Sequence, residues 1–333
     1  ERYELEDLRA VLCGVIRKLK TNKQLEECRV NGLLFVALDA NEQFHSRSRC
    51  CDQCSQRVIK IKNDAGEEEQ VTEYYHRHVY ARLCGPKGAL LLDLEPIRPG
   101  EEECRAALRL LGRLRRLYGP RFFDAVTVDA WYTKGPWIRA VQKLGWGVVC
   151  VLKQKDFEIY RETDALRPKV ANERWKEKGR EVELREVKHL TFTEVHGEVR
   201  VVVSDEQWQE TKRVGGRKVV EPKHSQWRWL VTEELAPYGP RVIHQAGHGR
   251  WGIENQGFNV LTQHYHLTHC VHHHPQAILA WLLFLILGYV LFDAFARIHG
   301  KLLDLSRWTF KAIVDQLRGG LERPEELEPL WSG

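Results

Sequence analysis

The chain has 333 residues, 43% of them hydrophobic and 29% charged, an ordinary globular balance with room for one large domain with insertions or for two domains. Its formal charge is +5 and its pI near 8.7, a mild basic excess that permits a polyanionic partner without requiring one. Nine Cys at irregular spacing exclude a small secreted disulfide scaffold, and no signal-peptide pattern is present, so a reducing cytoplasm is expected. The chain begins on Glu1 and contains no Met, from which we expect further sequence on its N-terminal side.

Residues 2–20 place Leu5, Leu8, Val11, Leu12, Val15, Ile16 and Leu19 at helical spacing, which predicts an amphipathic helix. Residues 32–39 (GLLFVALD) form an apolar run closed by Asp39, the pattern of a buried central strand with a carboxylate at its C-terminal end. Residues 41–73 are polar and contain Cys50, Cys51 and Cys54. Residues 74–83 and 88–94 then read as two further strands joined by the turn at 85–88, which makes an antiparallel meander with the first. A helix follows over 101–118, acidic at its start and basic towards its end as the helix dipole favours. Its segment holds Arg105, Arg109, Arg113, Arg115, Arg116 and Arg121, a solvated face compatible with phosphate contacts. Residues 122–129 read as a fourth strand ending in Asp129, 137–144 as a short helix, and 147–153 as a fifth strand ending in Lys153.

From 154 to 248, short β-like runs (183–187, 199–203, 228–231) alternate with charged turns and several Trp, as in an inserted β-rich subdomain. The stretch GRWGIENQGFN at 249–259 then opens a helical run. Arg250 and Glu254 stand at i and i+4, on one helix face, while Trp251 and Phe258 are predicted to anchor another face against a sheet. Residues 277–292 (AILAWLLFLILGYVLF) are uncharged but shorter than the roughly 20 residues that cross a bilayer, so they are expected to form a buried core helix and no membrane partner is expected.

Carboxylates therefore close the first and fourth strands and head the last helix. In open α/β sheets, ligands gather where strand ends flank a change in connection direction, so Asp39 and Asp129 converge if their strands are neighbours. Three convergent carboxylates repel one another unless cations lie between them, and hard oxygen donors select magnesium or manganese. Two such ions about 3.5–4 Å apart suit in-line displacement at phosphorus.

On these residues the chain resembles a DDE transposase of a bacterial insertion sequence, a transposable element. Asp39 in LLFVALDAN, Asp129 in AVTVDAWYTKGPW and Glu254 in GRWGIENQGFN match the three acids, and the likeness runs from about Leu33 to Phe295. The Tyr-(2)-Arg-(3)-Glu-(6)-Lys signature of one large transposase group is half kept: Arg250 and Glu254 hold their spacing, while Gly247 and Leu261 stand at the Tyr and Lys positions. The resemblance implies an α/β fold with an RNase H-like mixed five-stranded sheet flanked by helices, and a β-rich insertion before the last catalytic helix. The expected organisation is an N-terminal helical segment (1–30), a first core part (31–153) with an excursion at 45–80, the insertion (154–248), a second core part (249–300) and a helical tail (301–333). The implied activity is metal-dependent hydrolysis at transposon ends followed by strand transfer into target DNA, with Asp39, Asp129 and Glu254 holding two Mg2+ or Mn2+ ions. The implied partners are double-stranded DNA, as terminal inverted repeats and target, and a second copy of the chain, acting in the prokaryotic cytoplasm at the nucleoid. The alternative is a catalytically decayed or domesticated DNA-binding descendant.

Other residues invite narrower readings. Cys51-x-x-Cys54 with His76 or His78 supplies donors suited to a tetrahedral Zn2+ site, against free thiols on a loop as the equal alternative. His264, His266, His269, His272, His273 and His274 read as helix caps and packing groups without a metal role. Arg250 is a candidate to clamp a phosphate or to orient the Glu254 carboxylate, Lys153 is a candidate phosphate contact with a solvated lysine as the equal alternative, and Trp131 and Tyr132 are candidates for base stacking, with hydrophobic packing the commoner fate of such a pair.

Overall fold

The computed structural model describes residues 4–299 except 63–65, 87, 216 and 271, together with 312–315 and 318–319. The helical tail expected at 301–333 lies outside the described residues apart from those two short stretches.

Helix α1 (Leu5–Thr21) buries Leu12, Cys13, Ile16 and Leu19, with acids in its first turn and lysines in its last. The strands that follow are β1 (Arg29–Val30), β2 (Leu33–Ser46), β3 (Ser55–Lys62), β4 (Glu68–Cys84) and β5 (Ala89–Ile97). Helix α2 (Glu103–Tyr118) leads to β6 (Ala125–Val128), α3 (Gly135–Lys143) and β7 (Gly147–Val151). Helix α4 (Glu158–Leu166) precedes β8 (Asn172–Glu177), β9 (Arg180–Leu190), β10 (Val199–Val214) and β11 (Arg217–Thr232). The C-terminal part holds α5 (Pro240–Gly249), a π-helical turn at Ile253–Phe258, α6 (Asn259–Tyr265) and α7 (Pro275–His299).

These strands form one mixed sheet in the order β3-β4-β2-β6-β7-β11-β10-β9-β8, with β1 paired to β2 and β5 to β4. Among the described residues only the β2–β6 and β6–β7 pairs are parallel, and α3 makes the crossover that the second of these requires. The parallel strands sit at the centre: Leu33–Leu38 and all of β7 are buried along their length, as expected where helices cover both faces.

All five strands read from the sequence are present, but their limits differ. Strand β2 does not stop at Asp39; it runs on to Ser46 because Gln43 and Phe44 are themselves buried and the pairing to β4 continues. The polar stretch 41–73 contains β3, a largely exposed hairpin arm held to β4 by cross-strand charge pairs such as Lys60–Glu68 (3.1 Å) and Arg57–Glu73 (2.8 Å). Strands β10 and β11 are each 16 residues long, far beyond the runs 199–203 and 228–231. Those short runs lie in the part buried in the sheet, which also takes in Ser204, Glu206 and Thr232; further out the ribbon is exposed or half-buried and the apolar signal ends. Strand β11 pairs with β7 through Trp229–Val231, so this region continues the central sheet instead of standing apart from it.

Helix α7 extends to 25 residues, longer than its uncharged run, and by length and composition alone it could cross a membrane. Here Ile278, Leu282, Ile286 and Val290 are buried and the helix packs on α1 and β5.

Candidate active site

In the parallel β2–β6 pair, Ala37 lies opposite Thr127. Two residues further along, Asp39 and Asp129 leave the paired segment in step, and the strand period of two gives them the same face. Asp129 keeps an extended backbone and caps the turn Ala130–Tyr132, its carboxylate accepting from the Trp131 N–H at 2.8 Å, which sets its direction. Glu254 arrives from the far end of the chain on the π-helical turn, a wider helical form that recurs at functional sites. The Arg250 guanidinium joins the first and third acids: its Nη1 lies 3.3 Å from Asp39 Oδ2 and 3.2 Å from Glu254 Oε1. The Arg250 side chain is 7% exposed, Asp39 18% and Glu254 46%, so the site opens outward on the Glu254 side.

The electrostatics follow from this crowding. Burial pushes the Asp39 pKa up to about 7; the negative charges of Glu254 and Asp129 add to the rise, and Arg250 offsets part of it. One guanidinium against three carboxylates leaves uncompensated negative charge beside hard oxygen donors. That donor set suits a divalent cation such as magnesium or manganese.

Close backbone approaches hold the Glu254 segment. A Cβ on Gly247 would lie 2.3 Å from Trp229 Nε1, and a Cβ on Gly252 would lie 2.4 Å from Arg82 Nη1. Glycine at 247, where the transposase signature has Tyr, is therefore what lets α5 close on β11. Leu261, at the Lys position, is wholly buried. Arg82 of β4, also buried, donates to Gln256 Oε1 at 2.9 Å and so grips the π turn. Phe258 meets Tyr80 edge-on at 5.1 Å, whereas Trp251 packs edge-on against Trp227 at 5.3 Å. The two anchors predicted for one face thus rest on different strands.

Of the DNA-contact candidates, Trp131 is 57% exposed beside Asp129, with Lys134 Nζ 4.7 Å above its ring. Lys153 is exposed just past β7, and its neighbour Gln154 donates to Ala130 O at 2.6 Å, which places it against the Asp129 turn. Tyr132 corrects the sequence reading: it is wholly buried, its hydroxyl donates to Glu103 Oε1 at 2.7 Å, and its ring meets Trp137 edge-on, so no face remains for a base. Of the two readings of Arg250, the structure matches the one in which it orients a carboxylate: its buried guanidinium is engaged by Glu254 and Asp39. Within the arginine-rich helix, Arg113 is buried against Asp93 and Glu95, and Arg109 pairs with Glu95 and Glu101. Of that set, Arg105, Arg116 and Arg121 are exposed.

Glu103 was not singled out from the sequence, where an acid at a helix start has an ordinary explanation. It accepts from both Tyr132 and Arg77 (2.9 Å); burial raises its pKa, and the Asp129 charge contributes to the rise. It thereby supports the turn that carries Asp129.

A second cluster lies at the β3–β4 end of the sheet. Cys51 and Cys54 are near His76, but the fourth member is His273, with Nε2 3.3 Å from Cys54 Sγ. His78 is excluded from it: the ring is buried and its Nδ1 lies 2.8 Å from Gln43 Oε1. His273, expected only to cap or pack, carries no local signal because Cys51, Cys54 and His76 all lie far back along the chain.

Residues 81–291 match the family described as "Transposase DDE domain". The matched span contains Asp129 and Glu254, and Asp39 lies outside it. Among solved structures, a cryo-EM structure titled as a piggyBac transposase synaptic complex with hairpin DNA is 12% identical, with a TM-score of 0.40 over 79% of this chain and 47% of that one. This chain therefore spans about half the length of that protein. No curated protein matches.

Proposed function

Because this chain belongs to the transposase DDE domain family, we propose that it is the transposase of a bacterial insertion sequence, cutting DNA at the transposon ends and joining them to target DNA by cut and paste. The observation that carries this reading is that Asp39 stands beside Asp129 on neighbouring strands and is joined to Glu254, from the far end of the chain, by one buried arginine. The sheet centred on β2, β6 and β7 then corresponds to an RNase H-like core made of residues 31–153 and 249–300, preceded by a helical segment (1–30) and followed by a tail (301–333). Residues 154–248 are the insertion that separates Asp129 from Glu254 in sequence.

Asp39, Asp129 and Glu254 would together hold two Mg2+ or Mn2+ ions, and their all-oxygen, negatively charged character fits that role. Bound there, such ions supply Lewis-acid activation of the phosphodiester and of the attacking water or 3′-hydroxyl. The chain's own residues do the positioning. The Asp129 carboxylate is aimed by the Trp131 N–H, and Arg250 fixes Asp39 relative to Glu254 while offsetting part of their repulsion. Trp131 offers a ring for stacking on a frayed base, and Lys153 a cation for a phosphate on the same rim. The partners are double-stranded DNA, as terminal inverted repeats and target, and a second copy of the chain pairing two ends at the nucleoid. The test is nicking of transposon-end DNA: cleavage by the wild-type chain that requires a divalent metal, and none by Asp129→Asn. A decayed or domesticated descendant would bind DNA and show no metal-dependent cleavage.

A further inference from the structure

The Cys51, Cys54, His76 and His273 side chains bring four ligand atoms within 4.8 Å of one another. The individual separations are 3.7 Å between the two sulfurs, 3.6 Å from Cys51 Sγ to His76 Nε2, and 3.3 Å from Cys54 Sγ to each of His76 Nε2 and His273 Nε2. A tetrahedral zinc with Zn–S of about 2.3 Å and Zn–N of about 2.0–2.1 Å has sulfur–sulfur edges of about 3.8 Å and sulfur–nitrogen edges of about 3.6 Å. Four of the six edges are thus close to those of a single central ion, and the two from His273 to Cys51 and His76 lie within 4.8 Å. Soft sulfur with imidazole selects zinc over magnesium or calcium, and both cysteines are free.

The surroundings support the same chemistry. The Cys51–Cys54 segment is a tight turn, with Cys54 N–H donating to Cys51 O at 3.1 Å and Cys51 N–H directed at Cys54 Sγ at 3.3 Å. His76 is braced by His78, stacked 6.3 Å away, and His78 is in turn held by Gln43. These partners fix ring orientation, as the outer groups of metal sites do.

We propose that Cys51, Cys54, His76 and His273 form a structural zinc site, with four protein ligands and no open position, which fastens the start of α7 to the β3–β4 end of the sheet. The ligands come from the turn between β2 and β3, from β4, and from the residues just ahead of α7. The ion therefore closes a loop. At one end Arg250 ties the Glu254 turn to β2, and at the other zinc ties His273 to β4, so the segment leaving Glu254 is fixed at both ends. Closing so long a connection through a metal converts binding energy into folding energy.

The full chain, purified without added metal and dialysed, is expected to carry one zinc per chain by elemental analysis. Replacement by Co2+ is expected to give thiolate-to-cobalt charge-transfer absorption with the intense visible bands of a tetrahedral site. His273→Ala and Cys54→Ser should lose the zinc, and His272→Ala, at an exposed neighbouring ring, should keep it. If a variant does not fold, the wild-type cobalt spectrum still decides, because the carboxylate site holds no sulfur and cannot produce that absorption. Wild-type protein with no zinc, metal without a thiolate band, or a folded His273→Ala that keeps full zinc and an unchanged spectrum would each overturn the proposal.

Discussion

The carboxylate site is built on the neighbouring strands β2 and β6 and the Cys/His cluster on β4 and the turn that follows β2, and the two differ in what completes them. Around Asp39 and Asp129 the donors are oxygen, the charge is negative, and Glu254 remains 46% exposed, so the site faces outward. Around Cys51 and Cys54 the donors are sulfur and nitrogen, and four side chains enclose one point. The first set presents an exposed carboxylate to solvent, and the second gathers four ligand atoms within 4.8 Å of one another. On the proposed readings, an open set of ligands would serve catalysis and a complete set of four protein ligands would serve architecture.

Substitutions can break or sharpen this contrast. The largest effect is expected at Asp129. Asp129→Asn should lower metal-dependent nicking of transposon ends by about a thousandfold or more, since several kcal/mol of transition-state stabilisation would be lost, while gel-shift affinity for the ends persists. Nicking at the wild-type rate would remove the carboxylate site from catalysis.

At the closed cluster the effect should fall on stability instead. A strong chelator is expected to lower the wild-type melting temperature by several degrees and to leave that of His273→Ala unchanged; equal responses would erase the distinction between the two sites. Between them lies the seating of α5. Gly247→Ala places a Cβ against the Trp229 ring and should cost about 1–3 kcal/mol in urea unfolding, with a loss of nicking if Glu254 moves with the helix.

Glu206 tests the same seating by pH. Its Oε1 meets His244 Nε2 at 3.1 Å and His248 Nε2 at 2.6 Å, pinning α5 to β10. Burial works to raise the Glu206 pKa, but the hydrogen bonds and charges of the two histidines prevail and hold it well below the usual carboxylate range. A carboxyl depressed in the folded state stabilises fully above its unfolded pKa, about 4.3, and the contribution fades as pH falls through the folded value. Wild type should therefore lose more stability than Glu206→Gln between pH 7 and pH 3 in urea titrations; parallel losses would dismiss the pin.

The smallest effects separate two neighbours. Trp131→Ala should weaken binding of frayed or single-stranded ends by about 1–3 kcal/mol without altering stability. Tyr132→Phe should leave binding intact and cost about 1 kcal/mol of stability, through the hydroxyl bond to Glu103. Equal effects of both on binding would return Tyr132 to the DNA-facing rim.

Strand cores were legible because continuous apolar runs such as 33–38 and 147–151 leave no other economical burial. The outer halves of β10 and β11 were not, since an exposed or half-buried ribbon has no alternation to read. Asp39, Asp129 and Glu254 stood out because each adjoins an apolar run or a helical spacing. Arg250 was visible as a neighbour of Glu254, but its bond to Asp39 spans more than two hundred residues.

The sequence by itself determined the buried central strands, the apolar helix and the local i, i+4 approach of Arg250 to Glu254, because these depend on periodicity within a few turns of chain. Tertiary structure alone decided that Asp39 and Asp129 stand side by side, that Tyr132 is buried beside an exposed Trp131, and that His273 in place of His78 completes the Cys/His cluster. Those outcomes depend on which strands become neighbours and which faces the helices cover. Strand pairing and helix packing are settled by burial across the whole sheet, and no local window of residues contains that information.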